Sequence, residues 1–357
     1  MSPTRFNQSV HANLSQLLPA IGVCHYLIVD IAHGSPPNYR ATDYEFIRTF
    51  SRSLPVLFTI DEAMPADMTK ATHDQTFRNN LASVRKDLPT FAGLGYLTSM
   101  PGLQKRTTIN TIVPVLRDLF RKLERALLEA RVGAPEISNF FTITPDSTQY
   151  TAVYHDLLNA LNGIVRFIIV NTVTKLQSSP CYAQARTSWD TGCFFSNSSQ
   201  LTMVDIVKMT AKLKNLDSSV ALTLSMTMTV IKGIDISAIM QAGRPHAIHR
   251  AKCANMTEDQ YEVVCRTWLY SGSYAINYVH YLPDGCCNFV ESQYPNEVLT
   301  FETPKSIEDK VRAAYKIVRD APVLSWLAYN VSLNLAPSIC GGINSRLRQF
   351  RELIESH

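Results

Sequence analysis

The sequence predicts a parallel α/β fold, on the evidence of its strand–helix alternation, its strand composition and its apolar content. Short apolar segments alternate with longer amphipathic segments along most of the 357 residues, as in parallel sheets covered by helices. The short segments are apolar at successive positions, which indicates strands buried on both faces. Hydrophobic residues make up 46% of the chain and charged residues 18%, enough apolar material for a large core. A single (β/α) barrel with an insertion accommodates this length.

The predicted strands recur along the whole chain and are rich in Val, Ile, Leu and Phe. There are seven of them, at 23–31, 55–61, 91–97, 137–143, 164–174, 220–229 and 323–331. Gly93 and Gly95 weaken the third, because a glycine has no side chain to pack on a sheet. A closed barrel of this class has eight strands, so the sequence supplies one strand fewer than the barrel needs.

Amphipathic segments between the strands predict helices. In 107–131, apolar residues recur at helical spacing opposite the charged ones, at Ile112, Leu116, Leu119, Leu123 and Leu127. Pro114 is expected in the first turns of this helix. Further helices are predicted at 204–213 and 345–356. Another is predicted to begin at Ser306, with Asp309 three residues on as a capping-box-like acid.

The segment 231–297 interrupts the alternation. It contains β-like pieces such as 274–279 and half of the 8 cysteines. We interpret it as an α+β insertion that lies before the last helix–strand unit of the barrel.

Charge and motif content argue against several classes of partner. The net charge of +4 is too small to predict nucleic-acid binding. The basic residues of 107–131 alternate with acids and fit a solvated helix face; they are Arg117, Arg121, Lys122 and Arg125. No CxxC pair occurs, and the His246–His249 pair lacks further ligands, so we predict no metal and no cofactor. No segment predicts a membrane span, and the first residues lack the apolar run of a signal peptide.

The C-terminal third carries a family resemblance. Tyr261 precedes Cys265, the apolar segment 298–302 follows, and a segment with Ser306 and Lys310 leads to the strand 323–331 and Cys340. This order resembles the end of glycoside hydrolase family 18, the chitinases and chitinase-like lectins, and is most similar to divergent arachnid members. The resemblance implies one chitinase-type (β/α)8 TIM barrel over 1–357.

The same alignment extends to the N-terminal half. The segment that begins at Cys24 resembles the family's second strand, 55–61 its third and 91–99 its fourth. The family's first strand would precede Cys24, so we expect that strand to be missing from this sequence.

The fourth strand of the family carries the catalytic motif Asp-Gly-x-Asp-x-Asp-x-Glu. Its final Glu protonates the leaving oxygen, and a neighbouring Asp orients the substrate's acetamido group, which is the nucleophile. The four acidic positions are occupied here by Ala92, Gly95, Leu97 and Ser99, and only Gly93 matches. The resemblance therefore implies that this chain has no catalytic residue at the motif.

Three other features of the family's sugar site are also altered. The third strand ends in Thr59-Ile-Asp-Glu62 instead of Ser-x-Gly-Gly, and the sixth, at 164–180, lacks the Tyr and Asp of the family. The eighth strand has Leu327 in place of a Trp, with Trp326 one residue away. A one-residue shift of the alignment would make Trp326 a sugar contact, and we keep it as the candidate.

The resemblance also implies a disulfide between Cys265 and Cys340, and it leaves Cys24 unpaired. Cys253 has Cys286 or Cys287 as alternative partners, because sequence does not fix connectivity. Asn-x-Ser/Thr sequons make Asn197, Asn255 and Asn330 candidate glycosylation sites. We expect a secreted protein on these grounds.

These features favour a catalytically inactive, monomeric chitinase-like protein that binds a chitin-type oligosaccharide or a protein partner. The first alternative is an active glycoside hydrolase with relocated acids, for which Asp61 and Glu62 stand at a strand end where barrel active sites lie. The second is an interaction protein without affinity for sugars.

Overall fold

The computed structural model describes most of the barrel region and part of the predicted insertion. The described residues are 24–31, 37–50, 54–61, 63–97, 106–129, 136–145, 151–172, 189–190, 201–212, 217, 221–227, 230–234, 252–259, 279–282, 286–291, 297–318, 324–329 and 345–356. All structural statements below concern these residues.

The strands alternate with helices through the first six strands of the chain. The strands are β1 Leu27–Val29, β2 Val56–Thr59, β3 Phe91–Tyr96, β4 Phe140–Ile143, β5 Phe167–Val170, β6 Ala221–Thr227, β7 Val230–Ile234, β8 Asn255–Asp259, β9 Val279–Leu282, β10 Cys287–Glu291, β11 Val298–Phe301 and β12 Leu324–Tyr329. The helices are α1 Ala41–Phe50, α2 Pro65–Ala71, α3 Gln75–Asp87, α4 Arg106–Glu129, α5 Thr151–Leu161, α6 Met203–Thr210, α7 Pro304–Ile317 and α8 Ser345–Glu355.

The predicted strands form one curled, parallel sheet of 7 strands in the order β1-β2-β3-β4-β5-β6-β12. Every neighbouring pair is parallel, from Leu27 opposite Val56 in β1 and β2 to Leu222 opposite Leu324 in β6 and β12. The predicted fold class is therefore confirmed, and each predicted strand contains the observed one. β1 and β12 lie at the two ends of the strand order.

The two faces of the parallel sheet pack against two different sets of side chains. Outward side chains such as Phe58, Leu94 and Phe141 join the large core under the helices, and inward ones such as Leu57 and Phe140 form a smaller apolar cluster. This is the two-faced burial that continuous apolar strands predict.

Helix α4 has the stripe that the sequence predicts, with Leu116, Leu119 and Leu123 fully buried. Pro114 lies inside the helix. Helix α7 begins two residues earlier than expected, at Pro304. Thr303 is its N-cap and forms a capping box with Ser306, whereas Asp309 binds Lys305 on the helix surface.

Helix α8 connects the two ends of the parallel sheet. Arg351 Nη2 lies 3.3 Å from His25 Nε2, just before β1. On the other side, the Phe350 ring packs edge-on against Trp326 of β12, with centroids 5.9 Å apart. Helix α8 therefore contacts strand β12 and the residues just before β1.

A second sheet of 5 strands has the order β8-β7-β11-β10-β9 and is antiparallel throughout. Four of these strands fall within or at the edge of 231–297, and β11 leads into α7. Tyr281 of β9 donates a hydrogen bond to Asp309 of α7.

A buried ion pair fixes the start of α7 to β11. Lys310 Nζ donates to Glu302 Oε1 at 2.6 Å, and Ser306 Oγ donates to Glu302 Oε2 at 2.7 Å. The side chains of Lys310 and Glu302 are 0% and 4% exposed. The Ser-x-x-x-Lys spacing noted in the sequence thus places both groups, one helical turn apart, on one carboxylate.

Four cysteines lie in the described part of the chain. Cys253 and Cys287 are disulfide-bonded, whereas Cys24 and Cys286 are not part of a disulfide. The alternative that pairs Cys253 with Cys286 is therefore wrong. The expected bond between Cys265 and Cys340 lies outside the described residues.

Candidate functional site

Two of the four motif positions, Ala92 and Gly95, lie on strand β3, and Leu97 follows its end. Leu97 and Ala92 belong to the inner apolar cluster, while Phe91 and Leu94 pack on the outer side. Phe91 and Leu94 share a side although they are three residues apart, because the register with β2 shifts between Val56 and Leu57. Ser99 lies outside the described residues.

Gly95 has no room for a side chain. An ideal Cβ at this position would lie 2.0 Å from the Phe140 carbonyl oxygen and 2.6 Å from the Phe140 ring. A Cβ at Gly93 would meet the Ser138 carbonyl oxygen at 2.4 Å. Strands β3 and β4 therefore approach each other so closely that neither position can hold a carboxylate without a backbone shift.

Apolar and aromatic side chains fill the barrel interior next to Gly95. Phe140 is fully buried and clusters with Leu57, Ala92 and Ile169. The Tyr26 and Phe167 rings pack edge-on at a centroid distance of 4.8 Å against the same cluster. The interior at this level is thus a packed core of the kind that fills small barrels.

Polar side chains gather at the carboxyl ends of β1 and β2. Thr59 Oγ1 donates to Asp30 Oδ1 at 2.8 Å, and the Leu97 amide donates to Asp61 Oδ1 at 2.6 Å. The Asp61 carboxylate thereby holds the end of β3 against the turn after β2. Carboxyl ends of barrel strands are where active sites of this architecture lie.

Two buried tyrosines support this strand end from the helix side. Tyr39 donates to the Thr59 carbonyl at 2.8 Å, and Tyr96 donates to the Ala63 carbonyl at 2.9 Å. Burial raises the pKa of both phenols, and the negative charge of Asp61 raises each further. Both hydroxyls therefore stay protonated and act as structural donors.

One hydroxyl on the inner face has no partner. Thr142 of β4 is 1% exposed, and its Oγ1 makes no hydrogen bond within the described residues. Its β3 neighbour is Leu97, since Tyr96 pairs with Phe141. A buried hydroxyl without a partner is costly, and such groups are uncommon outside ligand sites and cavities that hold water.

The structure supports the alignment of the last strand at Leu327 and excludes the one-residue shift. Leu327 packs with the inner cluster, whereas Trp326 belongs to the outer core and contacts Phe350 of α8. Trp326 therefore does not face the barrel interior and cannot be the sugar contact kept as a candidate. Adjacent residues of a strand point to opposite faces of the sheet. Because Leu327 points into the barrel, Trp326 must point outward.

The remaining predicted residues are mostly beyond the described part of the chain, namely Glu62, Ser99, Asn197, Cys265, Asn330 and Cys340. Asn255 is exposed at the start of β8, an edge strand of the second sheet, and stays a predicted glycosylation site.

Within the described residues, no cluster of three or more His, Cys, Asp and Glu side chains could hold a metal ion. The described helices also include none with the length and apolar character needed to cross a membrane.

Solved structures with the same architecture were found, although no family model matches the chain and no curated protein matches it by sequence. An immunomodulatory active chitinase from Trichuris suis has a TM-score of 0.69 at 11% identity, covering 99% of this chain and 98% of its own. A chitinase-like agglutinin from Robinia pseudoacacia has a TM-score of 0.61 at 12% identity, covering 93% and 94%.

A class V chitinase mutant from Nicotiana tobaccum, in complex with NAG4, has a TM-score of 0.60 at 9% identity, covering 93% of this chain and 92% of its own. A family 18 N-acetylglucosaminidase from Paenibacillus barengoltzii matches with a TM-score of 0.57. This chain has the fold of the family 18 chitinases and chitinase-like proteins. The resemblance stated from the C-terminal third is therefore confirmed for the fold.

Two residues of the candidate site, Phe140 and Asp30, are not identified by the sequence patterns. Phe140 was assigned to a strand without a role, and Asp30 was absorbed into a buried strand. Alternation from Ile28 would have placed Asp30 on the inner face, because residues two apart point to the same side. No sequence signal would have identified the contact of Phe140 with Gly95, which depends on the spacing of two neighbouring strands.

Proposed function

We propose that this protein is a chitinase-like protein without hydrolytic activity, whose barrel mouth binds a chitin-type oligosaccharide. The observation that carries the proposal is the contact between Gly95 and Phe140. The nearest atom to a Cβ at Gly95 belongs to the Phe140 backbone, which cannot rotate away as a side chain can. Loss of a motif carboxylate at this position is thus accompanied by loss of the space it would need.

The resemblance gives this position its meaning. Hydrolysis in the family needs an acid that protonates the leaving oxygen and a carboxylate that orients the acetamido nucleophile. In this chain Ala92, Gly95, Leu97 and Ser99 offer no carboxyl group. The inner cluster next to Ala92 and Gly95 is apolar, formed by Leu57, Phe140 and Ile169.

Carbohydrate binding is supported by the polar strand ends. Asp30, Thr59 and Asp61 present oxygen atoms at the carboxyl ends of β1 and β2. The Nicotiana chitinase mutant of the same fold was solved in complex with NAG4.

A secreted, glycosylated protein of one barrel domain, 1–357 with an insertion at 231–297, completes the proposal. Disulfide-bonded Cys253 and Cys287 are typical of proteins in oxidising compartments. Exposed Asn255 is accessible to a glycan. A monomer is expected, and a protein partner that binds at the barrel mouth or the insertion is the alternative to the sugar.

The relocated-acid alternative is less well supported. Asp61 accepts a hydrogen bond from the Leu97 amide at 2.6 Å, so one carboxylate oxygen is held as an acceptor and not as a proton donor.

Calorimetry with N-acetylglucosamine oligomers tests binding directly. The proposal expects saturable heat with the purified full chain and no products of hydrolysis in the recovered ligand. An absence of heat at millimolar ligand, with a folded protein by circular dichroism, would favour the interaction protein without sugar affinity.

A further inference from the structure

The carboxylate of Asp30 lies on the same row of the sheet as motif position Gly95. Val29 pairs with Phe58, which places Asp30 opposite Thr59, and Thr59 pairs with Gly95. The hydrogen bond from Thr59 Oγ1 to Asp30 Oδ1 confirms that these side chains meet on the inner face. Strand β3 has no carboxylate at Gly95, but Asp30 provides one at the end of β1, two strands away.

Asp30 has capacity for a further partner. The bond from Thr59 is the one hydrogen bond seen to its carboxylate within the described residues, and the side chain is partly exposed. A carboxylate offers about four lone-pair positions. Asp30 can therefore accept hydrogen bonds from a ligand that enters the mouth.

Thr142 supplies an independent indication of a ligand. Its hydroxyl is buried and unpartnered, and it lies on the inner face beside Leu97. A buried polar group without a partner calls for an explanation, of which a bound water, ion or ligand is one. Thr142 and Asp30 belong to different strands of the sheet, and both lie on its inner face.

The charge around this mouth is negative. Asp61 follows strand β2, as Asp30 follows β1. Burial is the main cause of the raised pKa of Tyr39, and the negative charges of Asp61 and Asp30 raise it further. None of the described strand residues that face into the barrel is Lys, Arg or His. Apolar walls of low dielectric constant strengthen the negative potential of these carboxylates, which favours binding of a ligand with a cationic group.

We propose that the barrel mouth selects an amine-bearing sugar, a glucosamine unit of a deacetylated oligomer, over its N-acetylated form. Asp30 is the counter-ion of the ammonium group, and Thr142 accepts or donates a hydrogen bond to the same sugar. Phe140 fills the space beside Gly95, which suits a compact ammonium better than an acetamido group. This inference rests on the proposed carbohydrate binding.

The test is calorimetry of the full chain with glucosamine tetramer, N-acetylglucosamine tetramer and spermidine, at a mildly acidic pH that keeps the amines protonated. The variants are Asp30→Asn and Thr142→Val, which keep shape and remove charge or hydroxyl. Asp118→Asn on the exposed face of α4 is the matched charge control, since Asp118 pairs with Lys122 there.

The proposal expects the dissociation constant of the glucosamine tetramer to be at least about tenfold lower than that of the acetylated tetramer. A single charge-assisted hydrogen bond is strong enough to give a difference of this size. The Asp30→Asn substitution removes that preference, and added salt weakens it. The Thr142→Val substitution lowers the affinity for the glucosamine tetramer. The control Asp118→Asn changes neither the preference nor the affinity.

Binding of the acetylated tetramer alone would overturn the inference and leave the proposed function intact. Binding of neither tetramer by a folded protein would overturn the sugar-binding function itself. Tighter binding of spermidine than of the glucosamine tetramer, or an unchanged preference in Asp30→Asn, would overturn the assignment of the sugar amine.

Discussion

The Phe140 carbonyl oxygen lies 2.0 Å from the point where Gly95 would place a Cβ. That distance is far below van der Waals contact, so the two strands fit together only because residue 95 is a glycine. The position where the family motif carries an Asp is a packing contact in this chain. A reversal of the loss would therefore need more than a change of one residue.

Substitution of Gly95 by Ala is expected to lower the free energy of unfolding by about 1–3 kcal/mol or more, as overpacking does. Urea denaturation measures the change. Because the closest atom is backbone, removal of the ring in Phe140→Ala does not rescue Gly95→Ala. A Gly95→Ala variant as stable as the parent protein would contradict the close approach of β3 and β4.

Substitution of Lys310 by Met is expected to destabilise the protein by about 3–5 kcal/mol, since Glu302 is left as an unpaired buried charge. The double variant Glu302→Gln/Lys310→Met has no such charge and should lose much less stability than the two single variants summed. A double-mutant cycle in chemical denaturation gives the coupling. Additive losses would contradict the ion pair buried between β11 and α7.

Substitution of Thr142 by Val should leave the free protein as stable as the parent or stabilise it by about 1 kcal/mol or more, because an unsatisfied buried hydroxyl is replaced by a methyl group of similar shape. Thermal unfolding without ligand measures this. Thr210→Val is the control: Thr210 Oγ1 donates to the Val207 carbonyl at 2.8 Å, so its loss should destabilise. A destabilised Thr142→Val would show that the hydroxyl has a partner.

Alkylation of Cys24 should be slow at neutral pH. Burial raises the pKa of its thiol to about 11, and the nearby Arg351 guanidinium opposes this shift only in part. The thiolate is the reactive form, so the labelling rate in a Cys286→Ser variant should rise about tenfold per pH unit up to the pKa. Mass spectrometry of labelled peptides follows the site. A rate that levels off near neutral pH would contradict the burial of Cys24.

The parallel sheet could be predicted from the sequence because strands buried on both faces are recognisable as apolar runs. Even the weak segment 91–97 was correctly assigned, although Gly93 and Gly95 lower its strand propensity. The face of a residue was harder to predict: Trp326 and Leu327 are adjacent, and a shift of one position exchanges inside for outside.

The start of α7 shows a second limit of sequence reasoning. Ser306 was expected to open the helix, and it is instead the third residue, where its hydroxyl caps Thr303 and binds Glu302. Both placements satisfy the local capping pattern. The choice between them depends on Glu302 at the end of β11, a tertiary contact that local patterns do not contain.

The most direct test of the central claim is an assay of purified full-length protein for hydrolysis of N-acetylglucosamine oligomers, with product detection by mass spectrometry. The loss of carboxylates at Ala92, Gly95, Leu97 and Ser99 predicts no turnover above a protein-free control at any pH. Hydrolysis that is abolished by Asp61→Asn or Glu62→Gln, but not by Ser99→Ala, would contradict the account and establish an enzyme with relocated acids.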